Sequence, residues 1–140
     1  MTKKILCAVD DTDYSKTAVA LAAQMANAMG AELTLLAVNE LMGGYGGKGA
    51  IATYLWEEAD VKRVLDGATA YAKTAGVSSP KTASAKSRDV ARAIVVFAEE
   101  IDADHIVVGT GGKGGISRFM MGSVSRDVVS RAHCPVTVAR

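Results

Sequence analysis

Short apolar runs alternate along this chain with segments whose apolar residues fall at helical spacing, and that alternation limits the fold more than any other feature. Ile5 to Val9 reads as a buried strand, and Ala18, Leu21, Ala22, Met25 and Met29 then mark a helix that ends at Gly30. Leu33 to Val38 is a second strand. Val61, Val64, Leu65, Ala68 and Ala72 give a second helix, closed by Gly76. Thr82 to Ala85 is a weaker strand of small residues, after which Ser87 offers an N-cap to a third helix bearing Val90, Ile94, Phe97, Ala98 and Ile101 on one face. Ile106 to Val108, a last helix using Val124, Val128 and Val129, and a terminal strand from Val136 to Val138 complete the series. Five strands and four helices in strict alternation predict an α/β fold, doubly wound: a parallel sheet with helices on both faces and right-handed crossovers.

With 140 residues, 49% of them hydrophobic and 22% charged, the chain suits one globular domain with a real core. A formal net charge of +1, from 16 basic and 15 acidic residues, gives no overall attraction to nucleic acid or to an anionic membrane. No apolar stretch approaches the ~20 residues of a membrane span. Asp10 and Asp11 end the first apolar run before it reaches signal-peptide length, and Cys7 and Cys134 stand in no metal-ligand or C-x-x-C spacing. The expectation is a cytoplasmic protein with two structural thiols.

In a doubly wound sheet, ligands bind beyond the carboxyl ends of the strands, where strand order reverses. Asp10 follows the first strand and Gly109 the fourth. Gly109, Gly112, Gly122 and Ser123 form the pattern G-x2-G-x9-G-S between that fourth strand and the last helix. Backbone N–H groups at such a turn can bind phosphate, and they approach it closely only where no Cβ intervenes. The plain alternative is a turn that merely connects strand to helix. Against it, Gly122 and Ser123 stand at a helix start, where free N–H groups and the helix dipole favour an anion; Ser123 and Ser125 add hydroxyls, and Lys113 and Arg118 add local positive charge.

Two segments, Gly44 to Gly49 and Gly109 to Gly114, satisfy G-x-G-x-x-G, but the dinucleotide fingerprint belongs directly after the first strand, where this chain has Asp10-Asp11-Thr12-Asp13. The P-loop pattern is absent as well. The Gly-rich stretch from Gly43 to Gly49 interrupts the alternation and reads either as a flap over the site or as a disordered connector.

At these residues the chain resembles the universal stress protein family, specifically its ATP-binding branch. The likeness runs from Ile5-Leu6-Cys7-Ala8-Val9-Asp10 through Leu35-Leu36-Ala37-Val38 and Val107-Val108-Gly109 to Cys134-Pro135-Val136, so it covers residues 1–140 as a single domain. It implies a five-stranded parallel sheet of order 3-2-1-4-5 and an ATP site. Asp10, with Ala8 and Val9, would border adenine and ribose, and Val38 would contact the base. Val108 and Gly109 would line the nucleoside, while Gly112, Lys113, Gly122, Ser123, Val124 and Ser125 would surround the triphosphate. Family members often carry Ser-Arg between the first two glycines, where this chain has Thr110-Gly111, so the number of cationic phosphate contacts is left open.

Either Thr12 or Asp13 can cap the first helix, which leaves Asp10 for a ligand. The glycine loop offers no carboxylate for a metal, and His105 and His133 read as packed or cap-like residues rather than general bases. The expected function is a nucleotide-dependent regulatory module in stress response, retaining ATP, with any Mg2+ carried by the phosphates, and turning it over weakly at most. The alternatives are a slow ATP-hydrolysing or adenylating enzyme and a nucleotide-free interaction protein. The last strand follows Pro135 and is expected at the sheet edge, where antiparallel pairing with a second copy would make a homodimer, as the resemblance also implies. Tyr54 and Trp56, near the start of the second helix, read as interface or loop-packing residues, with packing favoured.

Overall fold

Ile5, Leu6 and Cys7 are wholly buried because their strand lies at the centre of the sheet, with another strand on each side. The structure, a computed structural model, describes residues 2–110 and 122–140. In chain order the elements are β1 (Lys4–Val9), α1 (Asp13–Met29), β2 (Glu32–Gly43), β3 (Ala52–Tyr54), α2 (Glu58–Thr74), β4 (Lys81–Ser87), α3 (Val90–Glu100), β5 (His105–Gly109), α4 (Ser123–Arg131) and β6 (Val136–Ala139). The parallel strands lie in the order β4-β2-β1-β5-β6. Counted among themselves this is 3-2-1-4-5, as expected.

Alternate residues of each strand face opposite layers. Cys7, Leu35 and Val107 point into the layer built with Ala22 and Ala26 of α1 and Val64 and Ala68 of α2. Leu6, Leu36 and Ile106 point into the layer built with Ile94 and Ala98 of α3 and Val128 of α4. Each fully buried Leu or Ile contributes roughly 1.5–3 kcal/mol from apolar area removed from water. The chain steps outward from β1 to β4 over α1 and α2, then returns to the other side of β1 over α3. Reversal of direction and change of face go together because the crossover keeps one hand.

Thr12 caps α1, its side chain accepting from the Ser15 N–H, and Gly30 ends it in the left-handed conformation at φ 64°. The cap of α3 corrects the sequence expectation. Asp89, not Ser87, accepts from the Arg92 N–H. Ser87 is the last residue of β4, and its hydroxyl accepts from the Asp89 N–H and donates to the Asp89 carbonyl, forming a turn ahead of the helix.

A second correction concerns residues 39–54. β2 continues to Gly43, and β3 returns antiparallel with Leu41 opposite Tyr54 and Met42 opposite Thr53. The described residues therefore hold six strands rather than five. The segment is an ordered β-hairpin rather than a disordered connector, and its turn, 44–51, includes the Gly-rich run except for Gly43. Gly43 (φ 75°) and Gly44 (φ 80°) allow the reversal; a Cβ on Gly43 would meet the Ile51 carbonyl oxygen at 2.9 Å.

Candidate functional site

The chain leaves β1 for the α1 face of the sheet and leaves β5 for the α4 face, so a crevice opens where the two paths part. The cleft there has a volume of about 410 Å³, within the usual range for small-ligand sites. Its floor is apolar: Ala8, Leu36, Val38 and Val108, all on the strand face that looks toward α3 and α4. Val90 and Ile94 of α3 form one wall and Val124 and Ser125 of α4 another. Ala8 is only partly buried in the central strand although Cys7 and Val9 beside it are buried, because the cleft opens over its methyl group. Val9 borders the cleft too, but its side chain lies in the core under α1 and α2, so it presents main chain.

The rim is polar. Asp10 Oδ1 accepts from the Thr12 N–H at 2.9 Å and from the Thr12 hydroxyl, and the Asp10 N–H donates to Ser15 Oγ at 3.0 Å. With Thr12 serving as the cap, Asp10 stands at the mouth beside Asp11. Ser123 opens α4 at the opposite rim. Gly122 precedes it in extended conformation without a side-chain cap, so the first-turn N–H groups lack a capping side chain.

Two of the glycines hold the architecture itself. A Cβ on Gly109 would stand 2.8 Å from the Tyr14 carbonyl oxygen, so glycine there admits the first turn of α1. Gly122 is buried; its N–H donates to the Thr110 carbonyl at 3.0 Å, and its carbonyl accepts from Ser125 Oγ at 2.9 Å. The Ser125 proton is therefore committed within the protein. Ala8, Val9, Asp10, Val38, Val108, Gly109, Ser123, Val124 and Ser125 thus converge on one cleft, with Gly122 just behind it. Gly112, Lys113 and Arg118 lie outside the described residues.

Sequence reading missed Tyr14, Val90, Ile94 and the hairpin residues Glu40, Leu55 and Trp56, which also border the cleft. The signal for the hairpin was Asn39, a polar residue continuing an apolar strand. It is 2% exposed, and its amide forms two hydrogen bonds with the main chain of Trp56, Nδ2 to the carbonyl at 2.8 Å and Oδ1 from the N–H at 2.9 Å. Trp56 is partly buried against the α1–α2 core, a packing residue as read; Tyr54 is exposed, with Lys86 over its ring.

The other reactive groups serve structure. Burial, followed by the charge of Asp10, pushes the Cys7 thiol up to about 12, and burial also raises Cys134. His105 is packed at β6, with Nε2 2.7 Å from Thr137 Oγ1, and burial holds its ring below the usual histidine range. His133 differs from the expectation: it reaches out to Glu99 at 2.8 Å on the surface. Among the described residues no group of three or more His, Cys, Asp or Glu could hold a metal ion, and no helix is long and apolar enough to cross a membrane.

Strand order and crevice define a Rossmann-like, doubly wound α/β protein. The chain belongs to the universal stress protein family, whose model matches residues 1–140. A universal stress protein of Thermus aquaticus is 36% identical over 144 residues, covering 100% of both chains. Universal stress protein MJ0531 of Methanocaldococcus jannaschii is 52% identical over 50 residues, 36% of this chain, which spans 29% of that longer relative. Among solved structures, a universal stress protein in complex with cAMP superposes with a TM-score of 0.75 at 25% identity, covering 99% of this chain and 97% of that one. The universal stress protein from Archaeoglobus fulgidus in complex with dAMP gives 0.68 at 26% identity, covering 99% and 98%.

Proposed function

We propose that this chain is a single ATP-binding domain over residues 1–140 that acts as a nucleotide-dependent regulatory module in cytoplasmic stress response. The observation that carries the reading is the open floor at Ala8: an apolar surface of four small and branched side chains in the middle of a buried sheet. It suits the flat face of a purine. The complexes of related proteins with cAMP and dAMP support an adenine nucleotide in this position. Asp10 would accept hydrogen bonds from the ribose hydroxyls. The N–H groups of Ser123 and Val124, at the positive end of α4, would meet phosphate oxygens, and Gly112 and Lys113 would complete the triphosphate site. Any Mg2+ would arrive on the phosphates.

Retention of ATP with weak turnover follows from a site made of main-chain donors and apolar floor. Titration calorimetry with ATP, AMP and GTP tests the reading, with ATP expected to bind and GTP to bind at least tenfold more weakly. Equal affinity for both, or heat from neither, would overturn it. Sustained release of phosphate or pyrophosphate would favour the enzymatic alternative. Pairing of two β6 edges would give the homodimer; β6 bonds to β5 on one side, and Val136, Thr137 and Val138 are only partly buried. A monomeric mass by light scattering would remove that part.

A further inference from the structure

The hairpin reaches the cleft through Glu40 and Leu55, which border it and are joined by a hydrogen bond from the Leu55 N–H to the Glu40 carbonyl at 2.8 Å. By strand alternation, Met42 and Thr53 continue this same hairpin face outward. At its base the hairpin is fixed by the buried Asn39–Trp56 pair. At its tip the exposed side chain of Arg88 holds it: Nη1 donates to the Gly43 carbonyl at 2.7 Å, and the guanidinium lies 4.5 Å from the centre of the Tyr45 ring. Arg88 sits immediately before Asp89, the cap of α3, and Val90 and Ile94 of that helix form the facing wall of the cleft.

We infer that Arg88 is a positioning residue that ties the tip of the 40–55 hairpin to the start of α3, setting how far the cleft stands open and so how slowly a bound nucleotide leaves. This rests on the nucleotide reading above. The tie is selective because one planar cation serves both halves: the fork supplies a directed donor to the carbonyl while the guanidinium lies over the tyrosine ring, and a compact ammonium is less suited to do both at once. Tyr45 is 73% exposed, so without this cation the ring has no reason to stay where it is. Gly43 and Gly44, both at positive φ, give the tip the freedom to swing once it is released.

The test uses the full chain and Arg88→Ala, with Arg88→Lys as the partial rescue and Tyr45→Leu as the variant that keeps the cation. Hydrogen exchange of amides 42–55 without nucleotide reads the tie, and stopped-flow emission of Trp56, the one tryptophan of the chain, reads association and release of ATP. Arg88→Ala is expected to speed exchange at the hairpin tip and raise the ATP dissociation rate roughly five- to tenfold, with association changed less than about twofold. Arg88→Lys and Tyr45→Leu should fall between it and the parent. Unchanged exchange in Arg88→Ala would overturn the tie. Faster exchange with an unchanged dissociation rate would overturn its role at the cleft. Absence of ATP binding by the parent chain would overturn the nucleotide reading itself and the release role with it, and the exchange arm distinguishes that failure from the other two.

Discussion

Gly109 and Tyr14 meet main chain to main chain: a Cβ at position 109 would lie 2.8 Å from the Tyr14 carbonyl oxygen and 3.0 Å from its carbonyl carbon. This contact lets the first turn of α1 sit over the end of β5, with Gly109 and Tyr14 both at the cleft rim. The backbone at Gly109 makes no demand for positive φ; proximity alone excludes a side chain.

Gly109→Ala should therefore destabilise the fold by about 1–3 kcal/mol, the cost of overpacking against atoms that cannot rotate away. Urea unfolding followed by circular dichroism measures it. A variant as stable as the parent would mean that α1 moves aside freely.

Ala8 faces the open cleft, so Ala8→Leu can fill the floor without overpacking the core. The expected result is at least a tenfold loss of ATP affinity with a melting temperature within a few degrees of the parent. Full retention of affinity would place the ligand elsewhere.

Asn39→Leu keeps side-chain size but leaves the Trp56 N–H and carbonyl without their partner. Stability should fall by about 1–3 kcal/mol, and Trp56 emission should shift to longer wavelength as the base of the hairpin loosens. Unaltered emission would show that Trp56 is held by its apolar contacts instead.

Several groups act on the acid side of stability, Asp89, Asp104 and His105 among them. Arg131, followed by the Arg92 N–H, holds Asp89 below the usual carboxylate range, and the main-chain N–H groups of Lys3 and Lys4 do so for Asp104. For both, the folded carboxyl is the stronger acid, so their stabilisation is complete above the unfolded value of ~3.9 and is lost as pH falls through the lower folded values. His105 is also depressed, by burial; the unfolded chain takes up that proton first, so stability begins to decline near pH ~6.5. Denaturant midpoints from pH 8 to 3 should show an early shallow loss and a steeper one below about 4. Asp89→Asn should flatten the second, and a profile level from pH 8 down to 3 would count against all three attributions.

The α/β class and the order of the five parallel strands and four helices were legible in the residues, because hydrophobic pattern is a local property of the chain; β3 was not. The site was legible in part. Asp10, Gly109, Ser123 and Ser125 were read from their place at strand ends and at a helix start, Val108 and Val124 from the family resemblance, and the structure gathers all six at one cleft. Val90 and Ile94 were recognised as one helical face, yet nothing local distinguishes the end of such a face that opens onto a cleft from the end that is sealed.

Sequence by itself determined the five parallel strands and four helices and their alternation, while the strand order that opens a crevice beyond β1 and β5 came from the family resemblance. Only the tertiary structure decided that a Gly-rich stretch folds back as a hairpin, that Asn39 holds Trp56, that Gly109 yields to Tyr14 rather than to a ligand, and that the Ser125 hydroxyl is turned inward. The physical reason is separation along the chain. Each of these except the Ser125 bond depends on residues brought together from different elements, and for Ser125 the competing acceptor is a main-chain carbonyl three residues back, which residue identity alone does not reveal.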